Sequence, residues 1–132
     1  MMDYDSNVVI AVDFDGTITK RDNYPDPSYE YDPNAIRWLT LIRKLPVVLV
    51  LWTCSGDERI QKIRNEMVKL HGLWFDYANE YPFRGFSKKL NADIYIDDRA
   101  NNGVIDWMGI YSKIEHLIEW RCKWKEKSLT ND

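Results

Sequence analysis

The sequence predicts an α/β layer fold built on a parallel sheet, and three observations predict it. Two valine-rich apolar runs, residues 7–12 and 46–52, and a shorter one, 92–96, read as strands buried on both faces. Segments of helical periodicity lie between and after them. All three runs end in residues suited to chemistry: Asp13 and Asp15, Thr53 and Ser55, Asp97 and Asp98. Parallel sheets of this kind bind ligands outside the carboxyl ends of their strands. One rim is therefore the expected site.

The first strand runs into Asp13-Phe14-Asp15-Gly16-Thr17. Residues i and i+2 of an extended segment point the same way, so Asp13 and Asp15 reach toward one small site. Two like charges that close need a bound cation or a catalytic task. The following stretch carries Tyr24, Pro25, Pro27, Tyr29 and Tyr31. It reads either as a stiff aromatic flap over the site or as an ordinary connection whose tyrosines lie on the body. A helix is expected over 33–44, with Asp32 as the N-cap and Pro33 at the first helical position. Ile36, Leu39 and Ile42 form its apolar face.

The second strand ends at Thr53, placed to offer its hydroxyl and its backbone N–H to a phosphate oxygen. Ser55 and Glu58 fit a capping box for the next helix, whose N-terminal dipole is positive near the site. Ile60, Ile63, Met67 and Leu70 give that helix an inward face, and His71-Gly72 stops it. Lys88 and Lys89 precede the third strand, where a cation would steady a carboxylate cluster and a phosphoryl group. A last helix is expected over 112–125. Its apolar stripe is Ile114, Leu117 and Ile118, continued by Arg121 or Cys122, with Trp120 and Trp124 beside it as an i, i+4 pair. Most of the six tryptophans are expected in the core or beneath this helix.

The chain has 132 residues, which predicts a single domain over 1–132 with a real hydrophobic core. A content of 45% hydrophobic and 30% charged residues places it among globular chains. A net charge of −3 argues against stable nucleic-acid binding and against an anionic membrane surface. No apolar stretch approaches the roughly 20 residues of a membrane span. The opening Met-Met-Asp-Tyr-Asp is too polar for a signal peptide. Cys54 and Cys122 show neither metal nor disulfide spacing, so a cytoplasmic protein with free thiols is expected. Asp13, Asp15, Asp97 and Asp98 would bring four negative charges to one rim. A hard cation with oxygen ligands, Mg²⁺ above all, neutralises such a cluster.

In order and spacing these segments resemble the haloacid dehalogenase superfamily of phosphohydrolases. Asp13-Phe14-Asp15-Gly16-Thr17 is similar to its first motif and Leu51-Trp52-Thr53 to its second. The stretch from Lys89 to Asp97-Asp98 is similar to the third and fourth, a lysine followed by a strand and a pair of acids. Lys89 stands four residues before Asp93, which favours it over Lys88 as the motif lysine. The chain is most similar to small, nearly capless phosphatase-type members, including bacterial and phage-type proteins with an Ile-Asp-Asp-Arg-Ala segment, here residues 96–100.

The resemblance implies a Rossmann-like, three-layer α/β/α domain with a mainly parallel central sheet. It implies a Mg²⁺-dependent phosphatase acting through an aspartyl-phosphate. Asp13 would be the nucleophile. Asp15 would protonate the leaving oxygen and then activate water. Thr53 and Lys89 would bind the phosphoryl group, and Ser55 and Gly16 would join them in binding the substrate. The Asp13 side chain, the Asp15 carbonyl and Asp97 or Asp98 would hold the metal. Segments 18–32 and 71–86 are too short for a full cap domain. An open site of that kind admits a bulky phosphorylated substrate, such as a phosphoprotein or a nucleic-acid end, or is closed by a partner subunit in an oligomer. Arg84 and Arg99 are candidates for a second anionic group; His71 and His116 are assigned no catalytic role. The alternatives are a nucleotidase or polynucleotide-end phosphatase, a phosphotransferase with an acceptor other than water, and a non-catalytic binding module of the same fold.

Overall fold

The computed structural model describes residues 8–20, 28–79, 92–97 and 104–130. Four strands and three helices follow in the order β1 (Val8–Asp13), α1 (Pro33–Arg43), β2 (Val47–Trp52), α2 (Asp57–His71), β3 (Tyr77–Ala78), β4 (Ile94–Ile96) and α3 (Trp107–Thr130). The sheet order is β3-β2-β1-β4 and every pairing is parallel. This is a Rossmann-like α/β arrangement, with the parallel sheet that the valine runs predict. The order reverses at β1: β2 and β3 extend the sheet on one side and β4 on the other. Such a switch point opens a crevice at the carboxyl ends of the strands. Asp13 stands there.

Alternation along β1 and β2 divides the core. Val8, Ile10, Val12, Val47, Leu49 and Leu51 face one way and join the buried residues of all three helices in one cluster. Val9, Ala11, Val48 and Val50 form a second, on the opposite face. Both faces are therefore buried, which explains runs with no polar alternation. Each fully buried Val, Leu or Ile side chain contributes about 1.5–3 kcal/mol.

Helix α1 starts as its sequence predicts. The Asp32 side chain accepts a hydrogen bond from the Asn34 N–H at 2.9 Å, Pro33 is the first helical residue, and Ile36, Leu39 and Ile42 are buried. Helix α2 corrects two expectations. Its N-cap is Gly56 with no side-chain cap, so the Ser55–Glu58 capping box does not form. Leu70 is exposed. The cause lies in the stop signal. Gly72 takes the left-handed conformation at φ 62°, and the Leu73 N–H returns to the Met67 carbonyl at 3.2 Å. That closure turns Leu73 into the core in place of Leu70.

Strand β3 is absent from the sequence reading. Its two residues carry no periodicity, and its place is fixed by pairing to Val50 and Leu51. Beside it Asp76 accepts from the Leu49 N–H at 2.8 Å and from Arg43 at 3.0 Å, which ties the end of α1 to two strands. Arg43 also donates to the Val47 carbonyl at 2.8 Å and lies over the Trp74 ring.

Helix α3 begins at Trp107, before the expected residue 112, because Asp106 caps it by accepting from the Gly109 N–H at 3.0 Å. A Cβ at Gly109 would collide with that carboxylate, so the glycine belongs to the cap and does not break the helix. Ile114 is buried, whereas Arg121 pairs with Asp93 and Cys122 is exposed, so the apolar stripe ends at Ile118. The expected burial of tryptophan fails: among the described side chains Trp107 is buried, Trp38 half-buried, and Trp52, Trp74 and Trp120 exposed. No helix among the described residues is long and apolar enough to cross a membrane.

Candidate functional site

Three strand ends meet on the rim. Val12 pairs with Ile96, and each is followed by an aspartate, Asp13 and Asp97. On the other side Asp13 pairs with Trp52, and Thr53 follows. Adjacent strands lie about 4.8 Å apart. Parallel register thus sets Asp13 between Asp97 and Thr53.

After Asp13 the chain makes a tight turn. Gly16 adopts φ 80°, a conformation that favours glycine. The Phe14 carbonyl accepts from the N–H groups of Thr17, Ile18 and Thr19 at 3.3, 2.9 and 3.2 Å. The Thr19 hydroxyl accepts from the Gly16 N–H at 2.9 Å. The N–H of Gly16 thus serves the turn. The Thr17 hydroxyl donates to Asp13 Oδ2 at 3.4 Å.

Asp15 does not share the environment of Asp13. Arg59, one turn into α2, grips both its oxygens: Nη2 to Oδ1 at 3.1 Å and Nη1 to Oδ2 at 3.3 Å. Arg59 Nη1 also donates to the Ser55 hydroxyl. Its guanidinium sits 5.5 Å from the centroids of Phe14 and Tyr29. The sequence reading missed Arg59. A signal existed, since side chains lean toward a helix N-terminus, and the N-terminus of α2 meets the rim.

Thr53 and Ser55 come together, their hydroxyls 3.1 Å apart. Ser55 therefore faces the site and caps nothing. The backbone of Thr53 is clamped by Asn79, whose Oδ1 accepts from the Thr53 N–H at 2.8 Å and whose Nδ2 donates to the Thr53 carbonyl at 2.6 Å. That N–H is consequently engaged by Asn79, which corrects the expectation that it is offered to a phosphate. Asn79 follows β3, so the fourth strand also contributes to the rim, from a residue the sequence reading passed over.

Of the aromatic segment, Tyr29 and Tyr31 are described, and both lie on the body. Their hydroxyls donate to Glu66 of α2 at 2.9 and 3.2 Å, and their rings meet Phe14 edge-on. Burial, then the Glu66 hydrogen bond, raises the pKa of Tyr29 above its ordinary value. Burial, then Tyr29, pushes that of Tyr31 far up. The segment is pinned by an antiparallel bridge between Thr19 and Tyr31.

Lys88, Lys89, Asp98, Arg84, Arg99, Tyr24, Pro25 and Pro27 lie outside the described residues. Among the described residues no three His, Cys, Asp or Glu side chains gather as a metal set. The metal donors they offer are the carboxylates of Asp13 and Asp97 and the carbonyl of Asp15, whose own carboxylate is held by Arg59.

No family model and no curated protein matches the chain. A solved structure does: a conserved protein from Bacteroides thetaiotaomicron, with 38% sequence identity and a TM-score of 0.68. The match covers 83% of this chain and 91% of that one. At that identity and coverage this chain belongs to the same family as the Bacteroides protein.

Proposed function

We propose that the protein is a Mg²⁺-dependent phosphatase that hydrolyses a phosphomonoester through an aspartyl-phosphate on Asp13. The observation that carries this reading is the register of β2, β1 and β4, which sets a carboxylate between a second carboxylate and a threonine hydroxyl at a switch point. A structural turn needs none of these groups, and neighbouring carboxylates call for a bound cation or a catalytic task.

The donor set fits Mg²⁺, which takes one or two carboxylates and completes its shell with a carbonyl, waters and a substrate phosphate. Bound there, the ion would neutralise charge on the transferring phosphoryl group. The remaining work falls to the chain. A carboxylate oxygen of Asp13 attacks phosphorus, the bond to the leaving oxygen breaks, and Asp15 delivers a proton to that oxygen. Asp15 then takes a proton from water, which attacks the same phosphorus and frees the Asp13 carboxylate. The Thr53 hydroxyl, held in place by Asn79, donates to a phosphoryl oxygen. Lys89 would supply a cation to the phosphoryl group.

Phosphate release from p-nitrophenyl phosphate tests this. Turnover with Mg²⁺ that disappears with EDTA and in Asp13→Asn supports the proposal. Turnover that survives Asp13→Asn in the purified variant, or a wild type inactive toward aryl, nucleotide and sugar phosphates alike, refutes it.

A further inference from the structure

The geometry points to Arg59 as the positioning residue for Asp15, aligning the acid–base carboxylate with the phosphoryl-binding hydroxyls of Ser55 and Thr53. The inference rests on the phosphatase reading above, and goes beyond it by giving a role to a residue that lies in none of the motifs.

Four observations carry it. Arg59 meets Asp15 with both terminal nitrogens, a fork-to-fork contact that fixes the plane of the carboxylate as well as its distance. One of those nitrogens also donates to Ser55, whose hydroxyl adjoins that of Thr53. The acid–base group and the phosphoryl-binding hydroxyls are therefore linked through one rigid, planar cation. The cation itself is braced. Phe14, the residue between Asp13 and Asp15, is fully buried and lies beneath the guanidinium together with Tyr29. Tyr29 is anchored in turn to Glu66, two turns further along α2. Finally, Arg59 Nε is buried and has no hydrogen-bond partner, so the polar contacts of the side chain run through its two terminal nitrogens.

Chemistry gives the arrangement a purpose. Asp15 lies within the turn, directly before Gly16, where the chain has left the strand and no sheet neighbour orients its short side chain. A fork takes one lone pair from each carboxylate oxygen and leaves others for the leaving oxygen or for water. Lysine would substitute only in part, since its ammonium offers a point charge and no plane.

The test is steady-state hydrolysis of p-nitrophenyl phosphate with Mg²⁺ by Arg59→Ala, Arg59→Lys, Asp15→Asn and the double variant Asp15→Asn/Arg59→Ala. A displacement of about 1 Å costs up to about 100-fold in rate, so Arg59→Ala should lose about that much kcat with KM little changed. Arg59→Lys should fall between it and the wild type. Free guanidinium chloride should restore activity to Arg59→Ala, while sodium chloride of equal concentration should not. Once Asp15 is Asn, removing Arg59 should cost far less than it does in the wild type, because its main effect runs through that carboxylate. If Arg59→Ala does not fold, Arg59→Lys carries the test by its fall in kcat at constant KM. Arg59→Ala with native or raised kcat overturns the inference, as does a loss in the Asp15→Asn background equal to that in the wild type. A wild type without turnover overturns the phosphatase reading first, and the role of Arg59 with it.

Discussion

Replacing Asn79 separates two contributions that the rim demands of one side chain. Its amide closes a two-bond clamp on the Thr53 backbone, and its own backbone sits at φ 51°. Neutral hydrogen bonds contribute about 1 kcal/mol each, and this pair is partly solvated, so Asn79→Gly should cost about 1.5 kcal/mol. Glycine tolerates the left-handed backbone. Alanine does not, and Asn79→Ala should lose about 1–2 kcal/mol more. At roughly 4 °C per kcal/mol for a domain of this size, the two variants should melt about 6 and 12 °C below the native protein. Thermal denaturation followed by circular dichroism reads both. Activity should fall in each by about tenfold or more, because Thr53 loses its anchor and its hydroxyl drifts. The glycine variant should lose nearly as much activity as alanine while remaining the more stable. Coincident melting temperatures would refute the backbone argument. A glycine variant with native melting and native kcat/KM would refute the clamp.

Other perturbations follow from the same contacts. Asp76→Ala strands a guanidinium that is 7% exposed, together with the Leu49 N–H, and should cost about 3–5 kcal/mol in urea denaturation. Removing both charges as Arg43→Met/Asp76→Asn should recover most of that loss, since asparagine still accepts from Leu49; an equally unstable double variant would contradict this. The raised pKa values of Tyr29 and Tyr31 mean that the folded state favours their neutral forms. Their contribution is full below the ordinary value of 10.0 and is lost as pH rises above it, because the unfolded chain releases those protons first. Stability should therefore fall above about pH 10, and Tyr29→Phe/Tyr31→Phe should flatten that fall in melts taken from neutral to strongly alkaline pH. An unchanged slope in the double variant would dismiss the two phenols as its source.

What the sequence made legible was local. Continuous valine runs forecast β1 and β2 because a strand buried on both faces needs no alternation, and Asp32-Pro33 forecast the start of α1 because capping is a contact between near neighbours in the chain. Asp13, Thr53 and Asp97 stand at the ends of adjacent strands because parallel register alone brings them there, whereas the Asp15 carboxylate, expected beside Asp13, is held by Arg59. What stayed hidden depends on distance along the chain. Strand β3 has two residues and exists through its partners on β2. Asn79 reaches Thr53 across 26 positions, and Arg59 reaches Asp15 across 44. No periodicity encodes such pairs. The tryptophans misled for a related reason. Apolar bulk predicts burial on average, but Trp52, the last residue of β2, is exposed at the rim.

Ser55 shows how a strong local rule yields to a site. A serine before a helix, with an acid three residues on, is a capping signal, yet the cap passes to Gly56. The energies explain why the transfer is easy. Glycine at an N-cap is only a few tenths of a kcal/mol worse than serine, whereas a buried hydroxyl hydrogen-bonded to a charged group gains about 1.5–3 kcal/mol. Asp57 and Glu58 in the first turn complement the helix dipole and offset what remains. Moving the cap by one residue frees Ser55 to meet Thr53 and Arg59, and so joins the start of α2 to the carboxylates of β1. The same comparison predicts that Ser55→Ala barely changes the helix content of α2. Its effect should fall on the site, through the lost partner of Arg59 and Thr53. Activity that falls only in step with helix content would return Ser55 to the ordinary role of a cap.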